Sequence, residues 1–291
     1  MAKNSAANET MAGTEVLADL SFKDYTTRPG MRASYLSALS RGTPGGAEWV
    51  RTHEFDTASM RLGRAVHCMV LEPDVFASSY TCGGSPVNQK TGRPYGIESD
   101  KYKEWEAIQK LPVISSEEHR LICGMAESIA AHPIARQIRD GPRATELSLF
   151  WDLDGLACKA RLDCLQAVKN TVWDIKTTAS AAYKAFERSM LTYCYHQQAA
   201  WYLDGASRCG LIDGPAAKFL FLAVENSAPF NVAVYQASGA LLNAGHQANE
   251  AALDLYRKCA TTKHFPASYA DEIIVLDCPA WMQEQEEALE A

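Results

Sequence analysis

The 291-residue sequence predicts an α/β protein in which a mixed central sheet is flanked by helices, and three stretches carry that prediction. Residues 145–176 hold three strand-like runs in succession; residues 180–204 read as one amphipathic helix; residues 217–225 and 231–236 read as two more strands before a long helix over 238–260. The order βββαβ, with helices before and after, gives an α/β sandwich.

Taken in order, residues 1–20 are polar and read as a disordered segment, and 21–283 as a single domain ending in an acidic tail over 284–291. Residues 21–51 form an entry module, with a turn at Pro29-Gly30, a helix near 32–40 and a loop at 42–46. A helix over 61–71 places Gly63, His67, Val70 and Leu71 on one side. The stretch 81–98, with Gly83-Gly84, Pro86, Gly92, Pro94 and Gly96, holds too many breakers to be regular, and helices follow over 100–110 and 116–132.

The next run is the informative one. Over 145–152, alternation puts Leu147, Leu149 and Trp151 on one face and Glu146 and Ser148 on the other. Asp152-Leu153-Asp154-Gly155 is a turn, and 156–165 returns as the second arm of a hairpin carrying Glu146 and Asp163. In the third strand, 172–176, Asp174 and Lys176 share one face and Ile175 packs from the other. On the helix that follows, Tyr195, Gln198 and Tyr202 lie along one side.

Composition bounds the function. A chain that is 47% hydrophobic can bury a large core, no apolar run approaches membrane-spanning length, and the polar start lacks a signal-peptide core, so a cytoplasmic protein is expected. Nine cysteines form no Cys-x-x-Cys pair, so they read as reduced, mostly buried thiols and not as a zinc or iron–sulfur site. The net charge of −7 argues mildly against nucleic acid, although local patches such as Arg61 and Arg64, Lys90, Arg93, Lys101 and Lys103, or Lys159 and Arg161 survive within it.

Glu146, Asp163 and Asp174 are hard oxygen ligands of the kind magnesium accepts, and manganese accepts similar sites. A cation held there would activate a water and stabilise charge on a phosphoryl transition state, with Lys176 orienting the water. An Asp-x-Lys on a strand is otherwise an ordinary solvated face, and a histidine such as His67 on an apolar helix face is otherwise a satisfied core group.

These residues carry a resemblance. Glu146, the run from Asp163 to Asp174-x-Lys176, Thr177-Thr178, and Tyr195-His196-Gln197-Gln198 with Tyr202 resemble the PD-(D/E)XK (restriction-endonuclease-like) nuclease superfamily, in its RecE (exonuclease VIII)-like branch of phages and prophages. The pair Gln198-x-x-x-Tyr202 is similar to a RecB-type nuclease motif, and the run 60–67 followed by Leu71-Glu72-Pro73 resembles the helix supplying a metal-binding histidine. Leu162 stands where the superfamily name expects proline.

The resemblance implies a magnesium site made by His67, Glu146, Asp163, Asp174 and the Ile175 backbone carbonyl, with Lys176, Gln198 and Tyr202 completing the catalytic set. Tyr195, His196, Arg64 and Arg161 are the expected DNA contacts, and the loop 81–98 is expected beside the DNA path. It further implies a 5′ to 3′ exonuclease acting on linear duplex DNA in the bacterial host cytoplasm. Such an enzyme leaves 3′ tails for a RecT-like single-strand annealing protein and works as a homo-oligomeric ring. A catalytically silent DNA-binding or assembly protein of the same fold, and an endonuclease or repair nuclease, are the alternatives.

Overall fold

The computed structural model describes residues 13–53 and 56–278. In chain order it contains β1 (Thr14–Leu17), α1 (Phe22–Thr27), α2 (Ala33–Arg41), α3 (Pro44–Thr52), α4 (Ala58–Leu71) and α5 (Pro73–Ser79). Next come β2 (Thr81–Cys82), α6 (Asp100–Ala107), β3 (Val113–Ile114) and α7 (Ser116–Ala131). The strands β4 (Ala144–Leu153), β5 (Leu156–Gln166) and β6 (Thr171–Thr178) are followed by α8 (Tyr183–Thr192) and α9 (Tyr195–Arg208), and then by β7 (Lys218–Glu225), β8 (Val232–Gln236) and α10 (Gly239–Thr262).

Six strands form one mixed sheet in the order β1-β4-β5-β6-β7-β8, antiparallel except where β6 runs parallel to β7. The parallel step has a physical cause: the chain crosses from β6 to β7 through α8 and α9, the connection that parallel neighbours need. Two apolar clusters cover the sheet. One includes Leu36 of α2, Trp201 of α9, Leu162, Phe219 and Phe221; the other includes Val66 of α4, Ile122 and Met125 of α7, Trp173, Ile175 and Leu222. The expected α/β sandwich is therefore present.

Capping chemistry sets several boundaries. Ser115 and Glu118 close a capping box at the start of α7, and Ser238 caps α10. At Gly245 a Cβ would stand 2.2 Å from the carbonyl oxygen of His196, so glycine is what lets α10 lie against α9.

Three expectations are corrected. Residues 14–17 are a strand rather than disordered, because Val16 packs on the core and the segment pairs with the edge of β4 (Thr14 opposite Trp151, Leu17 opposite Ser148); residues 1–12 and the acidic tail lie outside the described residues. The loop at 42–46 instead starts a helix: the Thr43 hydroxyl accepts from Gly46 N–H and Pro44 opens α3. The helix expected over 61–71 does end at Leu71, and Pro73 begins α5 after one turning residue, Glu72. The single helix over 180–204 is two, broken at Tyr193 and at Cys194, whose φ of +55° is left-handed.

Among the described residues no helix is long and apolar enough to cross a membrane. All nine cysteines are free thiols, five of them buried, in keeping with the sequence.

Candidate active site

The hairpin of β4 and β5 turns through Asp154 (φ +54°) and Gly155 (φ +81°), a two-residue turn that matches strand twist. Its register pairs Thr145 with Cys164 and Leu147 with Leu162, so Glu146 and Asp163 lie between these pairs, facing one another. Glu146 has φ +49° and leaves the ladder; such strain costs on the order of 1–3 kcal/mol and persists where the surroundings enforce it. Arg161 supplies part of that enforcement, because its Nε donates to Glu146 Oε2 at 2.8 Å while another nitrogen donates to Ser148 Oγ at 3.1 Å and to Leu20 O at 2.8 Å. Arg161 thus positions Glu146, and it also lines the adjoining cleft.

His67, on α4, reaches the same point. Its Nε2 lies 3.0 Å from Ile175 O, and since a carbonyl can only accept, Nε2 carries the proton and a neutral ring presents Nδ1 as a lone pair. That Nδ1 sits 3.5 Å from Asp163 Oδ2 and 3.8 Å from Glu146 Oε1, and the ligand atoms of all three residues lie within 4.8 Å of one another. Ile175 N–H donates to Asp163 Oδ2 at 2.7 Å, so the β6 backbone at Ile175 orients both the acid and the imidazole. The Ile175 carbonyl, expected as a ligand by resemblance, here fixes the tautomer of His67. Burial pushes the Asp163 carboxyl up to about 7; a charged His67 would oppose this, and Asp174 and Glu146 add to it.

Three acceptor atoms turned toward each other, with no donor between them, need a cation or a proton. The donor set of one imidazole and two carboxylates fits a hard divalent ion.

On the other side of Ile175, Asp174 and Lys176 form a closed triangle with Gln198 of α9. Lys176 Nζ lies 2.6 Å from Asp174 Oδ2 and donates to Gln198 Oε1 at 2.8 Å, while Gln198 Nε2 donates to Asp174 Oδ1 at 2.9 Å. Asp174, 1% exposed, thus spends both oxygens on the lysine and the amide and stands outside the His67-Glu146-Asp163 trio. Burial disfavours the Lys176 ammonium, but Asp174 and Asp163 outweigh it and hold its pKa above the ordinary value. It is therefore a fixed positive charge at neutral pH and not a proton acceptor.

The trio lines one cleft of about 630 Å³, which the triangle reaches through Gln198; Tyr195, Gln198 and Tyr202 line its α9 side, as the helical spacing predicts, and Asp174 and Lys176 are not among the lining residues. The Tyr195 ring faces Lys176 Nζ at 4.6 Å, and burial pushes the Tyr202 phenol well above its usual range. Arg64 lines the cleft, tied to Asp56 at 2.6 Å. His196 does not line it: its Nδ1 is buried without a partner, and burial lowers its pKa.

The loop 81–98 and the residues Lys90, Arg93, Lys101 and Lys103 also fall outside the cleft lining, and Lys101 and Lys103 pair with Glu104 and Glu98. Sequence reasoning missed Arg32, which stands in the cleft wall at the start of α2; nothing in its local pattern marks it. It gave Glu72 little weight, yet Glu72 lines the cleft and accepts from Thr145 Oγ1 at 3.0 Å.

Residues 47–275 match the family model described as a PDDEXK-like domain of unknown function (DUF3799). Among solved structures, a candidate exonuclease from Eubacterium rectale superimposes with a TM-score of 0.58 at 13% identity, covering 91% of this chain and 97% of its own; that likeness is one of fold. SSO0001, at 15% identity, 83% of this chain and 99% of its own, has a TM-score of 0.29 and carries no argument. No curated protein matches.

Proposed function

We propose that this chain, which belongs to the PDDEXK-like family DUF3799, is a metal-dependent deoxyribonuclease that works from the ends of linear duplex DNA. The observation that carries the reading is the convergence of ligand atoms from His67, Glu146 and Asp163 within 4.8 Å of one another, set beside a lysine whose charge is held on.

His67, Glu146 and Asp163 are the residues that would hold the ion. Magnesium, or manganese in its place, supplies charge neutralisation at the phosphoryl group and a water of lowered pKa. The chain's own groups do the rest. Ile175 fixes His67 and Asp163 through its backbone, and Arg161 fixes Glu146. Asp174 and Gln198 aim the Lys176 ammonium, which orients the attacking water and stabilises charge developing on the phosphate oxygens.

The resemblance to exonuclease VIII supports the finer reading. The enzyme degrades one strand 5′ to 3′, leaves 3′ tails for a RecT-like annealing protein in phage-type recombination, and acts as a homo-oligomeric ring in the bacterial cytoplasm. The test is incubation with linear and covalently closed duplex DNA, with magnesium and with chelator. Magnesium-dependent loss of linear DNA alone supports it. Loss of both forms makes the enzyme an endonuclease, and loss of neither makes it a silent binding protein.

A further inference from the structure

We infer that Tyr193, at the joint between α8 and α9, is a stacking platform for an unpaired nucleobase next to the phosphate being cut; the inference rests on the nuclease reading above. Tyr193 is 55% exposed yet lines the same cleft as the catalytic groups. A single exposed aromatic ring is unremarkable on a protein surface, and its exposure alone says nothing. What separates this one is its connection inward: the Tyr193 ring stacks on Tyr195 at 5.7 Å and 25°, and the Tyr195 ring lies over Lys176 Nζ at 4.6 Å. A continuous row thus runs from the fixed catalytic charge, through a half-buried ring, to a ring with one open face.

The joint is rigid, as a platform must be. Tyr193 N–H donates to Ser189 O at 2.9 Å, Cys194 is locked in the left-handed region, and an Arg41 nitrogen reaches from α2 to donate to Thr192 O at 3.2 Å. Across the cleft, Arg32 also lines the wall and has no carboxylate partner among the described residues, which leaves its guanidinium for a backbone phosphate.

A flat aromatic face in one wall of a cleft and a guanidinium in the other is an arrangement that holds single-stranded nucleic acid irrespective of sequence, since every base has a π-face. Inside a duplex both faces of a base are covered by its stacked neighbours, so Tyr193 can stack only on a base at the end of a strand or splayed from its partner. The nucleotide engaged here is one at such an end, splayed from its partner strand, and Tyr193 acts as a positioning residue for it.

The test uses single-stranded DNA carrying 2-aminopurine at successive positions from its end, mixed with the full chain in chelator so that nothing is cut. Quenching at one position by the wild type and by Tyr193→Phe, with about tenfold weaker binding and no quenching for Tyr193→Ala at unchanged melting temperature, is the expected result. Equal quenching by Tyr193→Ala overturns the inference. A wild type that cuts linear duplex but quenches nothing also overturns it while leaving the nuclease reading intact; a wild type that neither cuts nor binds DNA removes both.

Discussion

Two buried lysines, Lys159 on β5 and Lys176 on β6, sit in the same sheet and have opposite roles. Lys159, 3% exposed, sends its Nζ under α1, where it donates to Tyr25 O at 2.8 Å, Thr26 O at 3.2 Å and Arg28 O at 2.5 Å. It meets no carboxylate, and burial, with Arg32 adding to it, pushes its pKa down to about 8. Lys176 faces two acids that keep it charged, and the groups its Nζ touches, Gln198 and Tyr195, line the open cleft. The first lysine satisfies the carbonyl end of a short helix; the second presents a charge to whatever enters. A buried lysine is thus a chemical group only when carboxylates hold its charge and a cavity adjoins it.

The largest expected effect breaks the Lys176 side. Lys176→Met should lower DNA cleavage by about 10³-fold, equivalent to roughly 4 kcal/mol of transition-state stabilisation, while circular dichroism shows a folded protein. Unchanged cleavage would remove Lys176 from the mechanism. Lys159→Met should do the reverse. Three carbonyls lose a donor, at about 1 kcal/mol each, so above about pH 8, where burial leaves the amine neutral, stability falls by about 3 kcal/mol and the melting temperature by about 5–10 °C, with turnover unchanged below the transition.

Metal sharpens the contrast. Magnesium or manganese at a hundredfold excess over Kd should stabilise the wild type by about 2.7 kcal/mol in thermal melts. That gain should shrink toward zero in Glu146→Gln and in His67→Ala and survive in Lys159→Met. A full gain in Glu146→Gln would exclude that acid as a ligand.

The contrast also carries a pH dependence. Lys159 has a folded pKa of about 8, below its unfolded value of 10.5, so the unfolded chain binds more protons between these values. Its contribution to stability is therefore present above about pH 10.5 and lost as pH falls through about 8. The stability difference between wild type and Lys159→Met, followed by denaturant titration from pH 7 to pH 10.5, should move in the wild type's favour as pH rises; a flat difference would mean that the carbonyls hold the ammonium charged.

Much of the site was legible because strands have a strict period. Alternation put Asp174 and Lys176 on one face and Ile175 on the other, and Ile175 is 2% exposed in the core cluster on the α4 side. The Asp154-Gly155 turn set a register that brings Glu146 opposite Asp163. Alternation also gave Lys159 and Arg161 a common face, but not what covers that face, so both read as candidate basic surface. In the fold α1 lies over Lys159, and Glu146 takes Arg161.

The break at Tyr193 and Cys194 was illegible for a related reason. The residues of 180–204 suit a helix throughout, and the interruption is fixed by Cys194 turning left-handed and by Arg41 from α2 holding Thr192. The sequence by itself determined which acids and which lysine could face a common site, because local periodicity fixes facing within a strand or hairpin. Only the tertiary structure decided that His67 completes a trio with Glu146 and Asp163, that Asp174 serves Lys176, and that Tyr193 stands at the cleft. Those pairings join α4, β4, β5, β6 and α9, segments whose meeting depends on how the sheet and its covering helices pack and on no local rule.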